Sequence, residues 1–170
     1  MFSVFVFMPL SLHLTIHFSL AIIVGYFCGR LFKKPGLGII VGIMGGFLID
    51  LDHVLEYFLV FGPTFNLQYF IESRQFLVSD KIKLFFHAWE YFPLLLVLAF
   101  IFRKKQNLKV IFFTLALSGA VHLASDVVIN GYYFKYYSLL YRSQLDFSAA
   151  RILPPEIYQL NQEYKKKLGI

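Results

Sequence analysis

The sequence predicts an all-α, polytopic membrane protein with about four transmembrane helices, arranged as two antiparallel hairpins and followed by an interfacial C-terminal tail. Hydrophobic residues make up 58% of the 170 residues and charged residues only 15%, whereas soluble domains carry about 25% charged residues. The apolar residues fall in long runs, and a run of roughly 20 such residues crosses a bilayer as a helix. Short loops rich in Lys and Arg account for most of the net charge of +6, so no nucleic-acid partner is expected.

Four apolar runs are long enough to be spanning helices. The candidate spans are residues 9–32, 37–61, 82–102 and 108–129. Pro93 lies inside the third run and should kink that helix. Gly38 and Gly42 in the second run allow close helix contact, although glycine enrichment is also ordinary in membrane helices. The first run has neither a basic n-region nor a small-residue cleavage pattern, so we interpret it as a retained helix, with a cleaved signal peptide as the alternative.

Basic residues mark one side of the predicted membrane domain. The loops after the first and third runs carry seven basic and no acidic residues, namely Arg30, Lys33, Lys34, Arg103, Lys104, Lys105 and Lys109. Such an excess of Lys and Arg is typical of cytoplasmic loops. We therefore expect an integral protein of a prokaryotic plasma (inner) membrane, with both loops in the cytoplasm and the opposite helix ends on the other face.

The chain is predicted to divide into a transmembrane domain, residues 1–131, and an interfacial segment, residues 132–170. An Asn-Gly pair forms a helix stop after the last apolar run. The aromatic stretch of residues 132–137 suits a membrane–water interface, and a short amphipathic helix is expected after the Pro-Pro pair that follows.

Ionisable residues interrupt the apolar runs at the helix ends that lie away from the basic loops. They include all five histidines of the chain and are His13, His17, Asp50, Asp52, His53, His87, Glu90, His122 and Asp126. A charged group in a membrane-type segment is costly and marks a candidate functional site. Several of these residues are three or four positions apart and would share one face of a helix. The residues form four groups, one near an end of each predicted helix. Antiparallel helices bring these groups to the same depth in the membrane, so we expect them to meet.

Imidazole and carboxylate groups in this number predict a centre for one or two divalent transition metal ions. The candidate ligands are His13, His17, Asp50, Asp52, His53, His87, His122 and Asp126. Zinc is the first candidate, with manganese and iron as alternatives; the lone Cys28 supplies neither a disulfide nor a thiolate site. Asp50, Asp52 and Glu90 are the candidate catalytic carboxylates, while Glu56 and Glu90 are also candidates for orienting ligand histidines.

Each of these groups taken alone also has an ordinary structural explanation. A single His near a helix end can sit at the interface, Glu90 can pair with Lys83, and Asp126 can cap a neighbouring helix. The sequence Asp-Leu-Asp-His at residues 50–53 resists this explanation, because uncompensated carboxylates inside an apolar run are energetically costly.

At these residues the chain resembles the YdjM-like family of membrane-bound metal-dependent hydrolases. That family shows an early His, then Asp-x-Asp-His, then His-Arg-Gly-x-Thr-His-Ser, and later His-x-x-x-Asp. The early His is similar to His13 or His17, and the second and last elements match residues 50–53 and 122–126. The third element departs from the family pattern, since residues 86–90 read Phe-His-Ala-Trp-Glu and lack both Arg and Thr. The resemblance implies a metal-dependent hydrolase.

The leading hypothesis is a metal-dependent hydrolase that acts at the membrane surface on a phosphate ester of a phospholipid or another lipid phosphate. Two bridged metals suit such hydrolysis, because one activates water and both stabilise the transition state. A noncatalytic, metal-stabilised membrane scaffold is an alternative that the missing Arg favours. A proton or metal transporter is another, because intramembrane acids and histidines also line ion pathways. A transporter site should lie near the midplane, whereas these residues lie towards helix ends.

Overall fold

Residues 10–131 and 133–170 are described in the computed structural model of the chain. Of these residues, 76% lie in helices and none in a β-strand, which confirms the all-α prediction. The predicted start of the first span at Pro9 and the aromatic residue Tyr132 lie outside the described residues.

Ten α-helices and two short 3-10 turns make up the described part of the chain. The α-helices are α1 (Leu10–Leu31), α2 (Pro35–Gly46), α3 (Leu51–Phe61), α4 (Leu67–Ile71), α5 (Arg74–Ser79), α6 (Tyr91–Ile101), α7 (Gln106–Asn130), α8 (Leu139–Gln144), α9 (Ala149–Ile152) and α10 (Pro155–Lys167). The 3-10 turns are Leu48–Asp50 and Phe134–Tyr137.

Three helical segments are long and apolar enough to cross a membrane. They are Ser11–Leu31, Pro35–Phe61, which contains α2 and α3, and Gln106–Asn130. Large apolar side chains cover their outer surface: Phe27 is 66% exposed and Ile40 is 62% exposed. Contiguous apolar surface of this kind suits contact with lipid rather than with water, so the fold is compatible with a membrane protein.

The third predicted span, residues 82–102, is not a continuous helix. Residues 80–90 contain no α-helix, and we call them the 80–90 segment. The helix that follows, α6, has 11 residues and is roughly 16 Å long, which is shorter than the hydrocarbon core of a bilayer. Pro93 lies in its first turn, where a missing N–H breaks no helical hydrogen bond, so it does not kink the helix. The predicted number of about four spanning helices is therefore not confirmed.

The apolar helices pack as two neighbouring hairpins. Helix α1 contacts α2, and α6 contacts α7, while α7 also contacts both α1 and α2. Glycines allow a close approach near the α1–α2 turn, because a Cβ on Gly38 would lie 2.2 Å from the carbonyl oxygen of Gly25. A Cβ on Gly42 would lie 2.4 Å from the carbonyl oxygen of Ala21. The GxxxG pattern of Gly38 and Gly42 therefore lies at a close contact between α1 and α2, as predicted.

Residues 133–170, which we call the C-terminal cap, fold over the end of the bundle that carries the ionisable residues. Ile152 and Leu153 of the cap belong to the same buried apolar core as Leu123 of α7. The backbone N–H of Ile82 donates to the carbonyl oxygen of Phe147 at 2.8 Å, which ties the 80–90 segment to the cap. The predicted interfacial segment therefore covers the candidate site.

Candidate metal centre

Four separate parts of the chain bring histidine and aspartate side chains to one place beneath the C-terminal cap. We call this set the His–Asp cluster; its members are His13, His17, Asp50, His53, His87, His122 and Asp126. Every member is buried except Asp50, whose side chain is 19% exposed. The structure therefore brings together residues that the sequence scatters over α1, the turn before α3 with the start of α3, the 80–90 segment and α7.

Asp126 lies between two pairs of histidines. Its Oδ1 atom is 3.2 Å from Nε2 of His17 and 3.8 Å from Nε2 of His13. Its Oδ2 atom is 3.3 Å from Nε2 of His122 and 3.6 Å from Nε2 of His87. The two oxygens of one carboxylate thus contact different histidine pairs.

Asp50 closes the other side of the cluster. Its Oδ1 atom is 3.2 Å from Nε2 of His87, 3.5 Å from Nε2 of His122 and 3.8 Å from Nε2 of His53. Three sets of residues each have their candidate ligand atoms within 4.8 Å of one another: His13, His17 and Asp126; Asp50, His53 and His87; and His87, His122 and Asp126. The sets share members, so the cluster is one continuous centre.

A break in the second spanning segment directs both aspartates of the Asp-Leu-Asp-His sequence to one imidazole. In a regular helix, residues two positions apart do not face the same neighbour. Here the 3-10 turn Leu48–Asp50 separates α2 from α3. Asp50 therefore contacts Nε2 of His87, while Asp52 contacts Nδ1 of the same ring at 2.9 Å.

Asp52 orients a candidate ligand and is not itself among the converging ligand atoms. Its Oδ2 atom contacts Nδ1 of His87 and accepts hydrogen bonds from the backbone N–H groups of Phe86 at 2.9 Å and His87 at 3.3 Å. Nδ1 of His122 is likewise held, 2.9 Å from the carbonyl oxygen of Gly46. Histidines that bind metals commonly donate their second ring N–H to a carboxylate or a carbonyl. Asp52 thus orients His87 through Oδ2, whereas its predicted part as a direct ligand and catalytic group stays a prediction.

Glu56 and Arg142 hold the 80–90 segment in the conformation that presents His87. Leu84 has a φ of +37°, in a region that a side chain with a Cβ rarely adopts. The buried carboxylate of Glu56 accepts hydrogen bonds from the backbone N–H groups of Lys83 at 3.1 Å and Leu84 at 2.9 Å. Nη2 of Arg142 donates to the carbonyl oxygens of Leu84 at 3.1 Å and His87 at 2.6 Å. These bonds stabilise a strained turn next to the cluster.

Glu90, a predicted catalytic carboxylate, does not join the cluster. Its oxygens accept hydrogen bonds from the hydroxyl of Ser138 and from the backbone N–H groups of Leu139 and Leu140. Glu90 therefore fastens the 80–90 segment to α8 of the cap. The prediction assumed that His87 and Glu90 share a helix face, but the chain is not helical between them, and we withdraw Glu90 as a catalytic candidate.

Several buried polar atoms around the centre make no hydrogen bond to the described residues. They include His17 Nε2, both carboxylate oxygens of Asp50, Asp52 Oδ1, His53 Nε2 and Asp126 Oδ1. Burying carboxylate oxygens without hydrogen bonds or a cation is costly. Imidazole and carboxylate donors are the ligands preferred by zinc, manganese and iron. The residues present therefore fit a metal centre, because they offer suitable donor atoms and because a cation would compensate the charge of the buried carboxylates.

The protonation of His87, which lies outside the spanning segments, responds to the same negative charge. Burial lowers the pKa of this imidazole, but the flanking carboxylates of Asp52 and Asp50 outweigh it and raise the pKa to about 10. Without a cation, a proton on His87 compensates part of the carboxylate charge. A metal ion must displace that proton, so metal binding should become tighter as the pH rises.

Comparison with known proteins finds no relative of the chain. No protein-family model matches it, and neither the curated proteins nor the solved structures contain a match.

Proposed function

We propose that the chain is a membrane-embedded, metal-dependent hydrolase that cleaves phosphate esters of lipids at the membrane surface. The observation that carries the proposal is the convergence of histidine Nε2 atoms and aspartate oxygens on one buried centre. The contacts that fix the far ring nitrogens of His87 and His122 support it further, because they aim Nε2 of both rings inwards. Similarity of residues 50–53 and 122–126 to elements of the YdjM-like hydrolases points to the same class.

Two ion positions agree with the arrangement of donors. One position would be held by His13, His17 and Oδ1 of Asp126, and the other by residues around Oδ2 of Asp126. The second group comprises Asp50, His53, His87 and His122. Two-ion sites recur in enzymes that hydrolyse phosphate esters. Zinc is the first candidate for both positions, and manganese and iron remain alternatives.

When bound, such ions polarise a phosphoryl oxygen and make a water molecule nucleophilic near neutral pH. The protein itself contributes orientation and shelter. Asp52 keeps the ring of His87 in place, and Ile152 and Leu153 of the cap form apolar walls of a cavity that reaches the cluster. The centre lies at the ends of the helices away from the basic loops, where a lipid phosphate would be within reach.

Metal analysis of the purified protein tests this proposal. We expect wild-type protein in detergent to retain about two zinc-type ions, and to hydrolyse lipid phosphate esters in a chelator-sensitive manner. Asp126→Asn should lose metal and activity together, because the substitution weakens both positions. Asp146→Asn is the matched control, since Asp146 is exposed and pairs only with Arg151 among the described residues.

Two results would argue against the hydrolase proposal and in favour of one of its alternatives. A metal-loaded wild type without chelator-sensitive turnover would favour a metal-stabilised scaffold. A wild type that binds no metal even after reloading would remove the hydrolase proposal and favour transport.

We further propose that the protein lies in a prokaryotic inner membrane with both basic loops in the cytoplasm. The motive is the excess of Lys and Arg in the loops after α1 and α6, which is typical of cytoplasmic loops. Reporter fusions placed after Lys34 and after Lys105 should both report the cytoplasm. Opposite reports from the two positions would refute the two-hairpin topology.

A further inference from the structure

Arg142 of α8 is the largest fully buried side chain among the described residues, with 1% of its surface exposed. Its hydrogen bonds to described residues come from Nε, which donates to the carbonyl oxygen of Ser138 at 3.3 Å, and from Nη2. Nη2 donates to the carbonyl oxygens of Leu84 and His87. No carboxylate of the described residues lies within ion-pair distance of this guanidinium, although an arginine remains charged at any physiological pH.

The same guanidinium borders a cavity that reaches the His–Asp cluster. The cavity leaves about 40 Å³ for the centres of water-sized molecules and opens partly to solvent. One water needs about 10–15 Å³ on this measure, so the cavity has room for a small group of a few atoms. Members of the cluster, His53, His87 and Asp126, lie on its wall together with Arg142. Apolar side chains such as Ile152 complete the lining. A fixed cation and the candidate metal ligands therefore share one cavity.

A structural role for Arg142 explains only part of this arrangement. Its bonds to the carbonyl oxygens of Leu84 and His87 hold the strained turn, but neutral donors can bind carbonyl oxygens as well. Carboxylates act on this charge through space, namely those of Asp52, Glu90 and Glu56. None of them pairs with it directly, and burying a guanidinium without a direct ion pair is costly. An anion in the cavity would compensate that charge, and the planar guanidinium fits phosphate oxygens better than most other ligands.

We infer that the cavity is a binding site for a phosphate group and that Arg142 contacts its non-bridging oxygens. The inference builds on the proposed function, because it places the phosphate of the substrate between Arg142 and the ligands of the metal centre. The cluster supplies carboxylates that repel an anion when no metal is bound, so phosphate should bind more tightly to the metal-loaded protein. Arg142 is then a substrate-binding residue as well as a support for the turn.

Phosphate binding to the zinc-loaded protein in detergent tests the inference without measuring turnover. Inorganic phosphate is titrated by calorimetry into wild type, Arg142→Met, Arg142→Lys and the control Arg151→Met, whose arginine is exposed. Loss of charged hydrogen bonds should weaken phosphate binding to Arg142→Met about tenfold or more, at unchanged zinc content. Arg142→Lys keeps the charge but loses the planar fork, so its affinity should be intermediate. Arg151→Met should bind as the wild type does.

A short-chain phosphatidic acid, titrated in parallel, distinguishes the two sources of the phosphate. Tighter binding of the lipid than of inorganic phosphate would assign the cavity to a lipid head group. Equal affinities would assign it to free phosphate or a small soluble ester. In both cases the dependence on Arg142 supports the anion site.

Equal phosphate affinities of wild type and Arg142→Met, at equal zinc content, would overturn the inference and leave Arg142 as a positioning residue only. If both Arg142 variants lose zinc, a structure of zinc-loaded wild type with phosphate decides. Phosphate within hydrogen-bond distance of Arg142 upholds the inference, and phosphate elsewhere refutes it. If wild type holds no metal, the proposed function fails, whereas phosphate binding that Arg142→Met abolishes in the metal-free protein would still establish the anion site.

Discussion

The two ends of the helix bundle accommodate charged residues in opposite ways. At the end with the basic loops, Arg30, Lys33 and Arg103 are exposed, and solvent or lipid head groups can compensate each charge separately. At the other end, residues such as Asp126 and Arg142 are almost fully buried. Their charges have to be compensated inside the protein, by each other or by a bound ion. Charges at the first end can therefore be compensated from outside the protein, whereas those at the second end must be compensated from within.

Packing differs between the two ends as well. Near the basic loops, the backbones of α1 and α2 touch through Gly25, Gly38 and Gly42. At the site end, polar contacts between side chains and backbone are added to the helix contacts, and the non-helical 80–90 segment lies between the helices and the cap. We expect the first end to be sensitive to volume and the second to be sensitive to charge.

Metal removal should produce the largest effect and acts only on the site end. Dialysis of the loaded protein against a chelator should lower the free energy of unfolding by about 4 kcal/mol, the value for an ion supplied at 1,000 times its dissociation constant. Restoring zinc should recover the loss. The fluorescence of Trp89, which stacks on Phe134 of the cap at 4.2 Å, reports melting. A melting temperature that changes with neither chelator nor zinc would contradict the idea that a bound metal compensates the buried carboxylates.

Removing one member of the cluster should have the next largest effect. His122→Ala takes away the imidazole that contacts both Asp50 and Asp126, so it should cost about 3 kcal/mol of stability and reduce the bound metal. Lys104→Ala in a basic loop is the control and should stay within about 0.5 kcal/mol of wild type. Thermal unfolding and elemental analysis measure both. Similar losses of stability in the two variants would contradict the proposed difference in charge sensitivity between the two ends of the bundle.

A volume change should affect only the end with the basic loops. Gly38→Ala places a Cβ against the backbone of α1 and should cost about 2 kcal/mol, while the metal content stays that of wild type. Gly36→Ala provides the control, because a Cβ there meets no atom within 4 Å. Loss of metal in Gly38→Ala would show that the two ends are mechanically coupled.

The smallest expected effect comes from Asp52→Asn, which leaves every converging ligand atom in place. The amide holds Nδ1 of His87 less firmly than the carboxylate does, so the metal affinity should fall about tenfold. Competition with a chromogenic chelator measures this, with the exposed Asp146→Asn as reference. An unchanged affinity would mean that the backbone bonds around His87 suffice to orient its ring.

Much of the helical framework follows from composition alone. The predicted spans 9–32, 37–61 and 108–129 correspond to the three segments that are long enough to cross a membrane, since apolar length is a local property. Convergence of the His–Asp cluster could also be predicted, because antiparallel helices place residues near their ends at one depth. The break before α3 is an open alternative in the sequence, because Asp50 and Asp52 can serve one site only if the helix unwinds or ends there, and Gly45 and Gly46 directly precede it.

The non-helical conformation of the 80–90 segment could not be predicted from its sequence. Residues such as Leu84 and Phe86 are as apolar as those inside a membrane helix, and their helix propensity is compatible with a helix. Tertiary bonds from Glu56 and Arg142 decide the conformation instead. Both the unconfirmed fourth span and the withdrawn role of Glu90 come from this one segment. Arg142 could not be singled out either, because an arginine beside aromatic residues of the tail is typical of a membrane interface.

The bridging position of Asp126 has a consequence for the biogenesis of the protein. Its carboxylate contacts histidines from α1 and from the 80–90 segment, so the centre brings together parts of the chain that are synthesised far apart in time. Contacts of such high sequence separation form late, because they must first offset the entropy of closing a long loop. Most of the chain must therefore be synthesised before the centre is complete. In the metalloprotein proposed above, ion binding would then be one of the last steps of assembly.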